Sequence, residues 1–178
     1  MLDLETMGTA SNSAIIAIGA CYFDTVTGEL GDEFYREVNL KSANDCGGVI
    51  DPSTVIWWMN QSDDARNKFA KNNKAGHIMT VLAELSTWFK DGSIVWGNGS
   101  SFDNTILRNA YERSSLNAPW EFWNDRDVRT IVDLGLSVGV RRDQFIFDGV
   151  AHYALDDAKH QVKYVSAIHR KLLMMGRD

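Results

Sequence analysis

The sequence is poor in the residues that break, staple or anchor a chain. Only two of its 178 residues are proline, which leaves little room for a disordered linker. Its two cysteines, Cys21 in an apolar run and Cys46 beside Gly47 and Gly48, show no partnering pattern such as CxxC, so buried or incidental thiols are expected rather than a staple or a metal clip. No apolar run approaches the roughly 18 to 20 residues that span a bilayer. The start also lacks a basic segment followed by a long apolar stretch. These absences predict a cytoplasmic protein with no membrane partner. Internal repeats and low-complexity segments are missing as well.

Basic charge is scarce too. Eighteen Lys and Arg face 24 Asp and Glu, a net charge of −6, which argues against a long electrostatic grip on duplex nucleic acid because phosphate contacts need lysine and arginine. A short anionic substrate is compatible with that charge. An acidic cluster that holds divalent cations turns attractive to phosphate once it is loaded.

What remains is an ordinary globular composition, 44% apolar and 24% charged. At this length roughly 70% of the unfolded chain's surface can be buried, enough for one core. A single domain over residues 1–178 is expected. Met1 to Glu5 reads as the end of a strand, short on its N-terminal side because only two residues precede Asp3. The apolar run Ala14 to Phe23, the turn Thr25 to Gly28 and the alternating run Glu33 to Leu40 read as a hairpin. Helices are predicted from Ser53, from the capping segment Ser62-Asp63-Asp64 to about Ala70, and over His77 to Phe89. A short buried strand, Ile94 to Trp96, leads through Gly97-Asn98-Gly99 into a helix from about Asp103 to Arg113. A last strand is expected over Asp127 to Ile131, a helix over Val132 to Val138, and a long amphipathic helix over Leu155 to Met175. Three strands followed by alternating helix and strand predict an α/β mixed sheet flanked by helices.

Four carboxylates occupy strand ends or helix starts. Asp3 and Glu5, two apart, leave an extended strand on one face and can converge on a cation. An isolated pair of this kind is most often solvated surface; this one ends a strand and precedes a Gly/Ser-rich loop, where functional groups collect in α/β domains. Asp103 opens a helix and Asp157 lies near the start of the last one, positions that the helix dipole favours for an acid whatever its function. Hard cations such as Mg²⁺ and Mn²⁺ prefer oxygen ligands, and two of them about 3.5 to 4 Å apart can flank a phosphodiester. That chemistry needs about four carboxylates and a base. Asp3, Glu5, Asp103, Asp157 and His152 supply the set.

The ordered motifs resemble those of the DEDD exonucleases of the ribonuclease H-like fold, the group that includes ribonuclease T, oligoribonuclease and polymerase proofreading domains. Asp3-Leu4-Glu5-Thr6 looks like the first motif, Asn98 to Asp103 like the second, and His152 to Ala158 like the third. Further phrases, DLETMG from Asp3, VIWWMNQSDDAR from Val55, FWNDRDVRT from Phe122 and DGVAH from Asp148, are similar to prophage exodeoxyribonuclease VIII-like proteins and a phage exonuclease A. The third motif fits two spacings, HxxxxD through His152 and YxxxD through Tyr153, both ending at Asp157. His152 is favoured as general base, because imidazole titrates near neutral pH whereas a tyrosine acts mostly by orienting water. Asp156 is assigned a surface or capping role, and the i, i+4 pair Asp156 and His160 reads as solvated rather than as a zinc site.

The resemblance implies a ribonuclease H-like domain and 3′-5′ hydrolysis of single-stranded DNA or RNA with two Mg²⁺ or Mn²⁺ ions, releasing nucleoside 5′-monophosphates; the alternative is a catalytically silent nucleic-acid-binding or docking module on the same fold. Asp3, Glu5, Asp103 and Asp157 would be the ligands, and a homodimer would be in keeping with related enzymes. It also implies substrate contacts from Thr6, Met7 and Phe102, which lie in or beside the motifs. Similar exonucleases lay the segment after the third strand over the 3′-terminal nucleotide. On that basis Trp58 and Gln61, three apart on one helical face, are expected to meet the substrate, with Trp57 buried.

Overall fold

A computed structural model describes residues 1–67 and 72–176. Three antiparallel strands open the chain, β1 (Leu2–Thr6), β2 (Ile15–Phe23) and β3 (Leu30–Glu37). After three short helices, α1 (Leu40–Asp45), α2 (Pro52–Met59) and α3 (Asp63–Asn67), come α4 (Ile78–Trp88), β4 (Val95–Gly97) and α5 (Asp103–Arg113). The chain closes with β5 (Asp125–Asp127), α6 (Val128–Ser137) and the 22-residue α7 (Ala154–Met175). The sheet order is β3-β2-β1-β4-β5, with β4 parallel to both β1 and β5. No helix among the described residues is long and apolar enough to cross a membrane.

The sheet has a core on each face. Leu2 and Leu4 of β1 pack with Leu82 of α4 and with Ile106, Leu107 and Tyr111 of α5. On the opposite side Val128 and Ile131 of α6 meet Val162, Val165 and Ile168 of α7, the apolar stripe of the last helix. Because strand side chains alternate, β1 sends its leucines to the first core and Asp3 and Glu5 toward α7.

Several boundaries move for local reasons. The hairpin's second strand ends at Glu37, not Leu40, because the Asn39 side chain accepts the Ser42 N–H at 2.9 Å and starts α1. The strand expected over Asp127 to Ile131 is instead Asp125–Asp127. The Asp127 carboxylate accepts the Thr130 N–H at 3.0 Å, so the helix starts at Val128. The expected end of the α3 segment near Ala70 lies outside the described residues. β1 is five residues long and pairs with β2 from Leu2 to Thr6.

One glycine sets the position of α7. Gly19 stands opposite Asp3 in the β1–β2 ladder, and a Cβ built on it would lie 2.3 Å from the backbone carbon of Ala154 and the nitrogen of Leu155. The first turn of α7 thus rests directly on the β2 backbone, a contact open only to a residue without a side chain. A strand-centre glycine weakens β2 on its own account, and the helix seated on it supplies the compensation. Gly19→Ala should lower unfolding stability in urea by about 1 to 3 kcal/mol, the usual cost of overpacking against atoms that cannot rotate away. Unchanged stability and activity would show that α7 is not seated on β2 in this way.

Candidate active site

With α7 against β2, its first turn brings Asp157 over the acidic face of β1. The carboxylates of Asp3, Glu5 and Asp157 offer oxygen atoms within 4.8 Å of one another. Glu5 is 7% exposed, and Asp3 and Asp157 are half-buried. Asp103, 2% exposed, stands beside this group rather than inside it. Its Oδ1 accepts the Leu4 N–H at 3.2 Å, just past the point where β4 ends and the β1–β4 ladder stops. Gly97 makes that approach possible, since a Cβ there would meet Asn104 Oδ1 at 2.2 Å and Asp103 Cβ at 3.0 Å.

Burial and mutual repulsion dominate the electrostatics. Asp3 is held well above the usual carboxylate range, first by burial and then by Asp103, Glu5 and Asp157. A 2.7 Å hydrogen bond from the Gln161 Nε2 opposes this shift. Glu5 is pushed up to about 8 by burial and by Asp157 and Asp103. Asp103 is pushed up to about 7 by burial, against the pull of the Leu4 and Asn98 backbone N–H groups. Asp157 is raised by burial and lowered by His152. Such a set is suited to a cation: the donors are all oxygen, as hard divalent ions require, and a bound positive charge removes the repulsion that raises these groups.

His152 sits on the loop before α7 with φ of 64°, a left-handed conformation uncommon for a residue with a side chain. Asp156 ties that loop down by accepting the Val150 N–H at 2.9 Å. The His152 ring lies edge-on to Trp57, with centroids 4.9 Å apart. Tyr153 points away to β3, where its ring packs on Tyr35 at 4.3 Å.

A model of the 3′-5′ exoribonuclease Rv2179c-like domain matches residues 1–169. The chain belongs to this family. It is 26% identical to the exodeoxyribonuclease of Enterobacteria phage T4, over 78% of this chain and 72% of the phage protein. In fold it is similar to E. coli exonuclease I in complex with a dT13 oligonucleotide, with a TM-score of 0.65, 12% identity, and 99% of this chain matched to 42% of that one. A second neighbour is a 3′-exonuclease solved for its 3′-end specific recognition of a histone mRNA stem-loop, with a TM-score of 0.53, 17% identity, and 98% of this chain matched to 80% of that one. The five-stranded mixed sheet flanked by helices is the exonuclease, ribonuclease H-like fold. The chain spans less than half the length of exonuclease I.

Beside the carboxylates runs a groove lined by residues that include Glu5, Thr6, Thr54, Trp57, Trp58 and Phe102. Here the expected exposure of the two tryptophans is exchanged, although both border the groove. Trp58 is 6% exposed and packs with Ile16 and Ala65, and its indole N–H donates to the Thr6 carbonyl at 3.0 Å. Trp57, 44% exposed, faces the groove. The cause is the start of α2: Asp51 caps it through the Ser53 N–H at 2.7 Å, and Pro52 opens its first turn, which fixes the helix phase so that Trp58 turns to the sheet. Gln61 does not line the groove; its Nε2 folds back onto the Trp57 carbonyl at 2.9 Å. Thr6 borders the groove, but its hydroxyl is engaged with the Gly8 carbonyl. Met7 packs into the core rather than lining the groove, and Phe102 does line it.

The raised carboxyls give a pH signature with a definite sign. A group whose folded pKa exceeds its unfolded value stabilises the fold below the unfolded pKa, and that contribution is lost as pH rises through the folded one. For Glu5 the window runs from about 4.5 to about 8, and for Asp103 from 3.8 to about 7. Chelator-treated protein should therefore lose melting temperature between pH 5 and pH 8. Added Mn²⁺ should restore more at pH 8 than at pH 6. A melting temperature flat over this range, with no metal response, would contradict the electrostatics of the cluster.

Proposed function

We propose that the protein is a 3′-5′ exonuclease of the histidine DEDD subgroup that hydrolyses the terminal phosphodiester of single-stranded DNA or RNA and releases nucleoside 5′-monophosphates. The observation that carries this reading is the convergence of Asp3, Glu5 and Asp157 within 4.8 Å beside buried Asp103, in a chain of an exoribonuclease-like family. Asp3, Glu5, Asp103 and Asp157 would hold two Mg²⁺ or Mn²⁺ ions. When bound, such ions polarise the phosphodiester and stabilise charge on the attacking and leaving oxygens.

The chain's own residues divide the remaining work. His152, held at the mouth of the site by its strained loop, takes the proton of the attacking water on an imidazole nitrogen. The engagement of Tyr153 with Tyr35 supports this choice over the tyrosine spacing. Trp57 offers a ring to the terminal base, and Phe102 adds a second aromatic face to the groove lining.

The test incubates the protein and Mg²⁺ with single strands labelled at either end. A 3′ label should appear at once as mononucleotide, whereas a 5′ label should pass through progressively shorter strands. Internal cuts, or no hydrolysis of either sugar, would refute the reading. Asp103→Asn and Asp157→Asn should each remove nearly all turnover without unfolding the domain. His152→Ala should cost roughly 10²-fold or more, and Tyr153→Phe little.

The tryptophans separate cleanly. Base stacking is worth about 1 to 3 kcal/mol, so Trp57→Ala should weaken strand binding about tenfold with the fold intact. Trp58→Ala should instead cost about 3 to 5 kcal/mol of stability, the scale for removing a buried aromatic. The opposite pattern would return the stacking role to Trp58.

A further inference from the structure

Two cavities border the carboxylate cluster. Glu5 borders the apolar groove of Trp57, and Asp157, within 4.8 Å of it, borders a second cavity of about 330 Å³ between α7, the end of β4 and the turn Arg142–Gln144. Unlike the groove, this second cavity is lined by polar groups that the fold leaves unused. Gln161 is 3% exposed; its Nε2 is spent on Asp3, and its Oε1 is buried without a hydrogen-bond partner. His160, in contact with the rings of Phe147 and Tyr164, buries Nδ1 without a partner as well. Asp143 on the rim is paired with Arg141 at 2.7 Å and also feels the charge of Arg142, which itself makes no close ion pair among the described residues.

A buried polar atom without a partner is costly and calls for a ligand that satisfies it. A strand cut near its end has a nucleotide on one side of the cleaved bond and a charged backbone on the other. The groove with Trp57 suits a base. The other cavity, with the Arg142 guanidinium, an amide at Asn98 and the side chains of Gln161 and His160, suits sugar and phosphate. We propose that this cavity is a backbone subsite that takes the phosphodiester next to the one cleaved, with Arg142 as its phosphate contact. The assignment rests on the exonuclease reading for the position of the cleaved bond. It gives a net-acidic protein a local cation where the strand must lie, and makes longer strands better substrates than a single nucleotide ester.

Two measurements on wild type, Arg142→Ala and Arg142→Lys test it. In the first, fluorescence anisotropy with a labelled ten-nucleotide single strand, in Ca²⁺ to prevent turnover, reads affinity against salt. Arg142→Ala should bind about tenfold more weakly, and its salt slope should fall by about 0.7, the value of one lost contact on a single strand. Arg142→Lys should keep the slope, because a lysine still neutralises a phosphate. In the second, kcat/KM is compared between that strand and a chromogenic ester of a nucleoside 5′-monophosphate, which has no neighbouring phosphodiester. The strand-to-ester ratio should fall about tenfold in Arg142→Ala. An Arg142→Ala protein with wild-type affinity and slope, or with the ratio unchanged, would overturn the subsite. If wild type hydrolyses neither substrate, the exonuclease reading fails, and the anisotropy series still decides whether Arg142 meets a phosphate.

Discussion

Confining acidic groups in one partly dry place is unfavourable, and the arrangement around Asp3, Glu5, Asp103 and Asp157 is built to hold them there. Three independent restraints act. The β1–β2 ladder fixes the spacing of Asp3 and Glu5. The seat of α7 on Gly19 delivers Asp157 across the sheet. The Leu4 N–H, left free where β4 ends, holds Asp103 at the helix start. Each restraint involves backbone or a glycine contact, which cannot relax by a change of rotamer. The repulsion is therefore retained as raised proton affinity rather than dissipated by side-chain movement. A cation entering this set replaces protons instead of reorganising the fold, and affinity should rise with pH.

Much of this was legible in the sequence because the chemistry is written in short periods. Alternation in β1 placed Asp3 and Glu5 on one face, and helix starts placed Asp103 and Asp157. The order of strands and helices followed from periodicity and turns. What escaped depended on phase and on long-range contact. Trp57 and Trp58 are neighbours, so the pattern alone shows only that they diverge; the choice between them was made by the Asp51-Pro52 cap and by the Thr6 carbonyl, 52 residues away, which accepts the Trp58 indole. α1 was hidden because Leu40 continues the apolar alternation of β3 until Asn39 is recognised as a cap.

Two signals were present but carried no weight without the fold. A glycine in the middle of the run Ala14 to Phe23 is a sign of close backbone approach, yet nothing local says that the approaching element is α7. Gln161 lies four residues after Asp157 and so shares its helical face. Its importance is visible only once Asp3 is found 2.7 Å from its amide.

The two cavities explain why those positions matter together. In the proposed exonuclease the carboxylate cluster would give the cleaved bond a fixed place, but it would provide no means of telling the terminal nucleotide from the rest of the strand. That distinction has to come from its two flanks, and the flanks differ in kind. On the Glu5 side an exposed indole and a phenyl ring present apolar faces and little charge. On the Asp157 side Gln161, His160 and Arg142 present hydrogen-bonding atoms and a cation. A strand threaded in the reverse sense would set a base against unsatisfied polar atoms and a phosphate against indole, losing both sets of interactions. On the proposed reading direction along the strand would follow from the asymmetry of the flanks, and α7, seated on Gly19, carries Asp157, His160 and Gln161 in consecutive turns.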